Sequence, residues 1–548
     1  MPKRLLLLLS LATVALKAQY RLYEPNSLQV RYMAMNDLRQ LDAFNFYLRD
    51  PESAWKWIGS ENGHYFQQDH PEHADLCDGA WKKFPKSSIY KNGAWFWSWA
   101  SEANKPKSFF VINPILDLNS SPPAPEGELR WVNTNTRGAE VFGTIENKIG
   151  FYSSIADNLS RFPGYINRYI DTFGMVPGGT AFGKFQGGPT NYWAYKGYVN
   201  APLIGDASTN HIIATVGHDK QKIGIGQRSL FLDDFAPPTA FLRFNTKLGP
   251  FRYQNLWKKL DVPSVYERYP AGLVYATKYF IHHRGELHFD RLNFDLGFNE
   301  IILSHRSNGG LPIDYLNPII FYKSIESSLG TADNALAGFD ASYKRKEIAI
   351  YGQFLLDEYK FSEIMDGNGW WANKFAYQLG IAISPVNPYA NACIQVEYNN
   401  VRPYTYAHMS DLTGVTHFGQ PLAHALGSNF REGIFRIDVV PHAEPRLTLS
   451  HQTMIAYKGF DNWSKGQNWG GNPTRSYNSR VREYQNKTLQ GELAMILNSR
   501  SEALFQIQQN CFLNAGLQTR SQRGFGQKQE FYAWLGIRLN KFTNMALF

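Results

Sequence analysis

The stretch Leu292-Asn293-Phe294-Asp295-Leu296-Gly297-Phe298-Asn299 decides how the rest of the chain is read. Leu292, Phe294, Leu296 and Phe298 take one parity, and Asn293, Asp295, Gly297 and Asn299 take the other. Successive side chains on a strand point to opposite faces, so this pattern predicts a sheet with one apolar and one wet face. In a membrane barrel Leu292, Phe294, Leu296 and Phe298 would face lipid, with Asn293, Asp295 and Asn299 inside. The run Val141 to Ser153 repeats the pattern, with Val141, Ile145, Ile149 and Phe151 opposed by Thr144, Glu146 and Lys148.

Outward from these two, further strand patterns separated by Gly/Pro/Asn turns lie near 108–118, 192–200, 210–217, 240–249, 251–261, 272–281, 337–344, 347–358, 373–384, 391–400, 432–441, 446–457, 486–497, 502–512 and 531–540. With a weaker one near 222–227 they make about 18 strands. A soluble sandwich would also alternate. The number and length of the strands, and the long aromatic-rich loops between some of them, favour a transmembrane outer-membrane β-barrel, an all-β fold. In the last strand Phe531, Ala533, Leu535, Ile537 and Leu539 oppose Tyr532, Trp534, Gly536, Arg538 and Asn540. Phe548 follows, and a terminal aromatic after an amphipathic strand resembles the recognition signal of bacterial outer-membrane barrels.

The remainder fits export. Lys3 and Arg4, the apolar run from Leu5, and Leu16-Lys17-Ala18 before Gln19 read as a signal peptide over 1–18. That run is too short to span a bilayer as a helix, which takes ~20 residues. Removing it leaves 53 basic against 47 acidic residues, computed from 56 and 47 less Lys3, Arg4 and Lys17. So mild an excess suits lipopolysaccharide or acidic polysaccharide as neighbours and excludes a nucleic-acid surface. Aromatics are 15% of the chain, as a barrel with aromatic girdles requires. The mean hydropathy of −0.38 is compatible with strands wet on one face. The three cysteines, Cys77, Cys393 and Cys511, are too few and too scattered for a disulfide framework.

Residues 19–105 read differently. Leu41, Phe44 and Leu48 have helical spacing, and Trp55, Trp57, Trp81, Trp95, Trp97 and Trp99 crowd around them. This is expected to be a partly helical periplasmic or plug segment, with the barrel occupying 106–548.

Catalytic motifs are sparse. Gly178-Gly179-Thr180-Ala181-Phe182-Gly183-Lys184 approaches a phosphate loop but is followed by Phe185 where a Ser or Thr would ligate Mg²⁺. Asp233/Asp234 and Asp357/Glu358 are adjacent pairs, which on a strand point to opposite faces and cannot form a glycosidase dyad by themselves. The plainer reading makes them interior or loop carboxylates paired with arginines such as Arg228 and Arg243. His64, His70, His73 and Cys77 offer zinc-type ligands without a finger or ribbon spacing, so a polar loop is the plainer reading. No catalytic residue, metal centre or cofactor is expected.

Arg402, Tyr404, Tyr406 and His408 follow a strand ending near Asn400, and their even spacing would put them on one face if the strand continued. Aromatic rings stack on sugars, and guanidinium forks grip uronates or phosphates. Trp370 and Trp371 make a second loop platform. These six are the candidate glycan-binding residues. The alternatives are interfacial girdle positions for the aromatics and an interior ion pair for Arg402.

Several phrases, taken in order, resemble a known family. They are Asn135-Thr136-Arg137-Gly138, Arg161-Phe162-Pro163, Val176-Pro177-Gly178, Ile225-Gly226-Gln227-Arg228-Ser229-Leu230-Phe231-Leu232-Asp233-Asp234 with Pro237-Pro238, Tyr351-Gly352-Gln353 with Leu356-Asp357-Glu358, Glu397-Tyr398-Asn399-Asn400-Val401-Arg402-Pro403-Tyr404-Thr405-Tyr406-Ala407-His408, Pro421-Leu422-Ala423-His424, and Gly427-Ser428-Asn429-Phe430-Arg431-Glu432. Over residues 105–548 the chain resembles the Wzi-type capsule-assembly family, in the Bacteroidota branch that includes RemB-like gliding-motility proteins. His417-Phe418-Gly419-Gln420 and Ala425 depart from the commoner pattern, and 20–105 carries no resemblance. The resemblance implies an 18-stranded outer-membrane barrel with a helical plug that binds or organises surface polysaccharide without chemistry. In the gliding branch it implies a structural part in a motility or secretion assembly, with protein partners in the outer membrane or periplasm. A soluble secreted glycan hydrolase is the third, contrasting reading.

Overall fold

A computed structural model describes residues 97–100, 108–122, 132–146, 148–179, 183–184, 188–205, 210–269, 272–307, 309–318, 332–385, 387–444, 446–508 and 511–540. Eighteen antiparallel strands run through it: β1 (Phe109–Ser121), β2 (Val132–Ile145), β3 (Ile149–Arg161), β4 (Thr190–Gly205), β5 (His211–Asp219), β6 (Thr239–Leu248), β7 (Phe251–Tyr269), β8 (Gly272–Phe289), β9 (Phe294–His305), β10 (Asn334–Arg345), β11 (Ile348–Glu358), β12 (Lys374–Ile383), β13 (Ala390–Val401), β14 (Phe430–Pro441), β15 (Leu447–Phe460), β16 (Glu492–Gln508), β17 (Cys511–Gly524) and β18 (Lys528–Leu539). Each pairs with its sequence neighbour. β18 returns to β1 through Leu116↔Leu539 to Ser120↔Leu535, which closes the sheet and removes its edges. The remaining edge of β1 is met by the short strand Trp97–Ala100.

The parity of the sequence becomes an inside and an outside. On β9, Asp295 and Asn299 are buried in the lumen while Leu296 is exposed on the outer wall. The same division holds on β12, with Gln378 inside and Leu379 63% exposed, and on β18, with Tyr532 and Arg538 inside and Leu535 69% exposed. An apolar exterior around a polar interior is the transmembrane barrel arrangement, and the chain is an integral outer-membrane barrel. No helix among the described residues is long and apolar enough to cross a membrane, so strands do the crossing.

Four local expectations are corrected. Asn293 is not inside: it closes a 3₁₀ turn over Asp290–Leu292 with φ 50° and is exposed, so β9 starts at Phe294. The run Val141–Ser153 is a hairpin, with Ile145 paired to Ile149 across a turn at 146–148. A turn of odd length preserved the parity, which is why one strand seemed to continue through it. The segment near 222–227 is no strand. The expected strand at 502–512 straddles the end of β16 and the start of β17. The strand total survives because the merged hairpin and the spurious strand offset each other. Cys393 and Cys511 are free thiols. Residues 1–96, 101–107 and 541–548 lie outside the described residues. With them go the signal peptide, nearly all of the 19–105 segment, His64, His70, His73, Cys77 and Phe548.

Connections are unequal at the two ends. One end has short turns at 146–148, 249–250, 290–293 and 346–347, and the other carries long segments at 220–238, 306–333, 402–429 and 461–491. Outer-membrane barrels keep the short turns in the periplasm, so the long-loop end faces out. One long segment does not stay above the barrel. Tyr315 is fully buried against Trp257, Ile281 and Ile302, three outward-facing residues on β7, β8 and β9, and the Trp257 indole donates to the Tyr315 carbonyl at 2.9 Å. The described part of the segment between β9 and β10, residues 309–318, therefore lies as a strap against the outer wall.

Candidate functional site

The lumen is filled by the chain's own loops. Between β5 and β6 the segment 220–238 turns inward, and Leu230, Phe231 and Leu232 are at most 1% exposed. They pack on Leu256, Phe280, Leu336, Leu355 and Phe430 of the wall, apolar positions on otherwise polar inner faces. Glycines make room. A Cβ on Gly338 would lie 2.7 Å from the Phe231 ring, and one on Gly226 would lie 2.6 Å from the Glu397 carboxylate.

Polar groups fix this loop across the barrel. The Glu397 carboxylate accepts the backbone N–H groups of Gln227 (2.7 Å) and Arg228 (3.1 Å) and the Tyr351 hydroxyl (2.8 Å). Gln353 accepts the Leu230 N–H at 2.7 Å and donates to the Ile223 carbonyl at 3.0 Å. Arg228 reaches Glu432 on β14 at 3.3 Å, and His424 reaches the same carboxylate at 2.9 Å. Lys222 and Asp233 form a buried pair at 3.2 Å. A charge taken out of water requires such partners.

The second inward segment, 402–429, crosses from the other side. Lys278 on β8 donates to the carbonyls of Asp411 (2.6 Å) and Gly414 (2.8 Å). Its small hairpin, Thr416–His417 with Gln420–Pro421, brings Gln420 onto the Gly178 N–H at 2.8 Å. Gly178 follows the helix α1 (Gly164–Phe173), whose Tyr165, Ile166 and Ile170 pack on Tyr532. The two inward loops meet where Asp233 N–H donates to the Leu422 carbonyl and the Tyr406 hydroxyl donates to the Leu230 carbonyl. The phrases that carried the sequence resemblance are thus largely the parts of one luminal network.

The carboxylate pairs serve that network. Asp233 holds Lys222. Asp357 holds Lys374 at 3.1 Å and accepts the Tyr406 N–H at 2.7 Å, while Glu358 lies 3.5 Å from Lys374. Lysines make the direct contacts with Asp233 and Asp357, and Arg228 also acts on Asp233 and Asp234. Arg228 pairs with Glu432 on the wall, and Arg243 donates to Gln221.

Arg402, Tyr404, Tyr406 and His408 do not share a strand face. β13 ends at Val401, and Tyr404 (φ 64°) and Tyr406 (φ 74°) turn the chain through the left-handed region. Tyr406 is buried in the lumen. Trp370, Trp371, Tyr404 and His408 are instead gathered around Tyr477: Trp371 lies 4.7 Å and His408 5.4 Å from its ring, and Tyr404 meets Trp371 edge-on. Burial pushes the Tyr404 and Tyr477 hydroxyls up to about 12, so both stay neutral donors. Arg402 leans the other way, over the Phe375 ring at 5.2 Å.

Above this cluster the 461–491 segment forms a basic, aromatic roof. Arg475 stacks on Trp463 (4.6 Å), Arg480 on Trp371 (4.4 Å) and Arg482 on Trp469 (5.4 Å). Trp463 is 62% exposed at the long-loop surface. Asp461 fixes the loop by accepting the N–H groups of Trp469 and Gly471. Sequence reading passed over these residues because they carry no strand period. The density of Trp, Asn, Gly and Arg over 461–482 was the available signal.

No family model and no curated protein matches the chain. Among solved structures it is similar to Wzi of Escherichia coli, described as an outer membrane protein involved in group 1 capsule assembly and a carbohydrate binding β-barrel. That likeness has 13% identity over 79% of this chain and 85% of that one, with a TM-score of 0.49. It is also similar to OpdK of Pseudomonas aeruginosa, solved with vanillate (10% identity, 78% and 97% covered, TM-score 0.41). A BenF-like porin of Pseudomonas fluorescens gives the same identity and coverage with a TM-score of 0.42.

Proposed function

We propose that this barrel is a non-catalytic surface protein that binds or organises acidic, capsule-type polysaccharide at its long-loop end. The observation that carries the reading is Arg475 stacked on the exposed Trp463 ring. An indole face supplies a stacking surface for a sugar ring, and the Arg475 guanidinium, held by Asp461 at 3.4 Å, fixes that ring at the surface. Trp370 extends that surface, and Trp371, buried beneath Arg480, supports it from below together with Tyr404 and His408. Tyr406 ties it to the luminal loops, and Arg402 lies at its outer edge. The crossing of the lumen by two anchored loops supports binding at the mouth over passage through the barrel.

A second reading, a structural component of a motility or secretion assembly, has its own observation. The short helix Phe361–Met365 exposes Phe361 and Met365, at 68% and 70%, beside an exposed Tyr359. An apolar knob of this kind suits a protein partner.

The test uses detergent-purified protein and immobilised acidic and neutral polysaccharides. Trp463→Ala with Arg475→Ala should weaken retention on the acidic glycan by about tenfold or more, the effect expected for a lost stack and charge-assisted bond. No glycan should be cleaved. If that variant binds as wild type does, while Phe361→Ala with Met365→Ala strips a stable set of co-purifying proteins, the assembly reading replaces this one.

A further inference from the structure

On the outer wall the exposed apolar band ends in a row set by strand register. Tyr377 pairs with Asn400, Asn400 with Arg431, and Arg431 with Tyr457, across β12, β13, β14 and β15. All four take the outward parity. Arg431 and Tyr457 are exposed, and the Tyr377 ring lies 6.1 Å from that of Tyr398 two residues below Asn400. Beneath this row the wall is apolar, with Leu379, Val396, Phe435 and Ile455 exposed.

The row has a definite height. Asn400 lies about ten residues up β13 from the short-turn end, roughly 25 Å along the barrel axis for a tilted strand. That is the height of the lipid-facing band, so the tyrosines belong to the upper girdle and Arg431 stands at headgroup level. Arg402 is one row higher, its guanidinium 5.2 Å from the Phe375 ring centre and its Nη2 3.4 Å from the Asn486 carbonyl. Arg402 and Arg431 rise from neighbouring strand positions, and adjacent strands are about 4.8 Å apart.

Neither guanidinium is committed to a carboxylate. Arg431 donates its Nε to the Asn400 side chain at 3.3 Å, and no acidic group lies within salt-bridge distance of Arg431 or Arg402 among the described residues. Other arginines of the same rim are paired, Arg475 with Asp461 and Arg480 with Glu483. A cation at an apolar-to-polar boundary, flanked by tyrosines and left without a protein counter-charge, matches a ligand that is apolar below and anionic above.

We propose that Arg402 and Arg431 form a binding site for the phosphate of an outer-leaflet lipid headgroup, of the lipid A type, with the acyl chains lying on the wall beneath. The site adjoins the glycan surface, whose outer edge Arg402 marks, and does not depend on that reading. Two guanidinium forks bind a phosphate by parallel charge-assisted hydrogen bonds, which a lysine cannot reproduce.

The experiment measures lipid retained by the full-length protein in detergent, by native mass spectrometry, with three probes. These are bisphosphorylated lipid A, the same lipid stripped of both phosphates, and inorganic phosphate as competitor. Wild type should hold the phosphorylated lipid about tenfold more than the stripped one. Arg402→Ala with Arg431→Ala should erase that preference, and Arg431→Lys, which keeps the charge, should reduce it. Heat-modifiable migration confirms that each variant is folded, and Arg431→Lys serves alone if the double variant is not. An undiminished preference in a folded double variant overturns the proposal. So does free phosphate binding as tightly as the lipid, or loss of acidic-glycan retention with lipid binding intact.

Discussion

Arg228 and Glu432 meet 3.3 Å apart inside the barrel, although they arise on opposite walls. Arg228 sits on the loop between β5 and β6, and Glu432 on β14, half the circumference away. The pair is fully enclosed and shares its carboxylate with His424. It spans the lumen and holds one inward loop against the far wall.

Removing one member should therefore cost more than a surface ion pair. Glu432→Ala leaves Arg228 buried beside a lost partner, and about 3–5 kcal/mol of stability should disappear. The same change should open the 220–238 loop to trypsin at Lys222 and Arg228. A loop as resistant as in wild type would show that Glu397 and Gln353 suffice to hold it. Replacing both members by Met should cost much less than either single truncation.

Acidification should loosen the same region. Burial holds the imidazoles of His417 and His424 below the ordinary value of 6.5. The unfolded chain then binds more protons than the folded one below that pH, so stability is full above about 6.5 and falls as pH drops. Asp233 acts in the opposite sense, because burial pushes its carboxyl from 3.8 up to about 6. Over that interval the folded chain binds the extra proton, and stability rises as pH falls. His417→Gln with His424→Gln should flatten the decline in denaturation midpoint between pH 6.5 and 4, and Asp233→Asn should steepen it.

The wall parity gives a matched pair on β12. Leu379→Arg places a charge on the lipid face in the upper part of the band and should cost about 1–2 kcal/mol, between the interface and midplane penalties, read as a lower folded fraction on heat-modifiable gels. Leu379→Phe keeps the face apolar and should assemble normally. Equal assembly of the Arg variant would move this face out of lipid.

The strap on the outer wall should be held chiefly by Tyr315. Its hydroxyl donates to Asp333 at 2.9 Å, and its ring covers Trp257, Ile281 and Ile302. Tyr315→Ala should cost about 3–5 kcal/mol, as for other buried aromatic truncations, and should raise protease cleavage in 306–318. Tyr315→Phe should lose only about 1–3 kcal/mol, the penalty of leaving Asp333 short of a donor.

The alternation at Phe294–Asn299 and Phe531–Leu539 determined the barrel and its inside and outside, because a strand has a period of two and lipid and water reward opposite parities. Local pattern placed most strands and even survived the unseen hairpin at 146–148. It did not reveal where the loops go. Nothing periodic marks 220–238 as crossing the lumen, and the even spacing of Arg402, Tyr404, Tyr406 and His408 promised a face that positive φ at Tyr404 and Tyr406 abolishes. Their positions follow from partners far away in the chain: Leu230 for Tyr406, Tyr477 for His408, Phe375 for Arg402. Closing the sheet between β18 and β1 set the lumen's width, and with it which loop could reach which wall. That is a property of eighteen strands together, and no single stretch of sequence contains it.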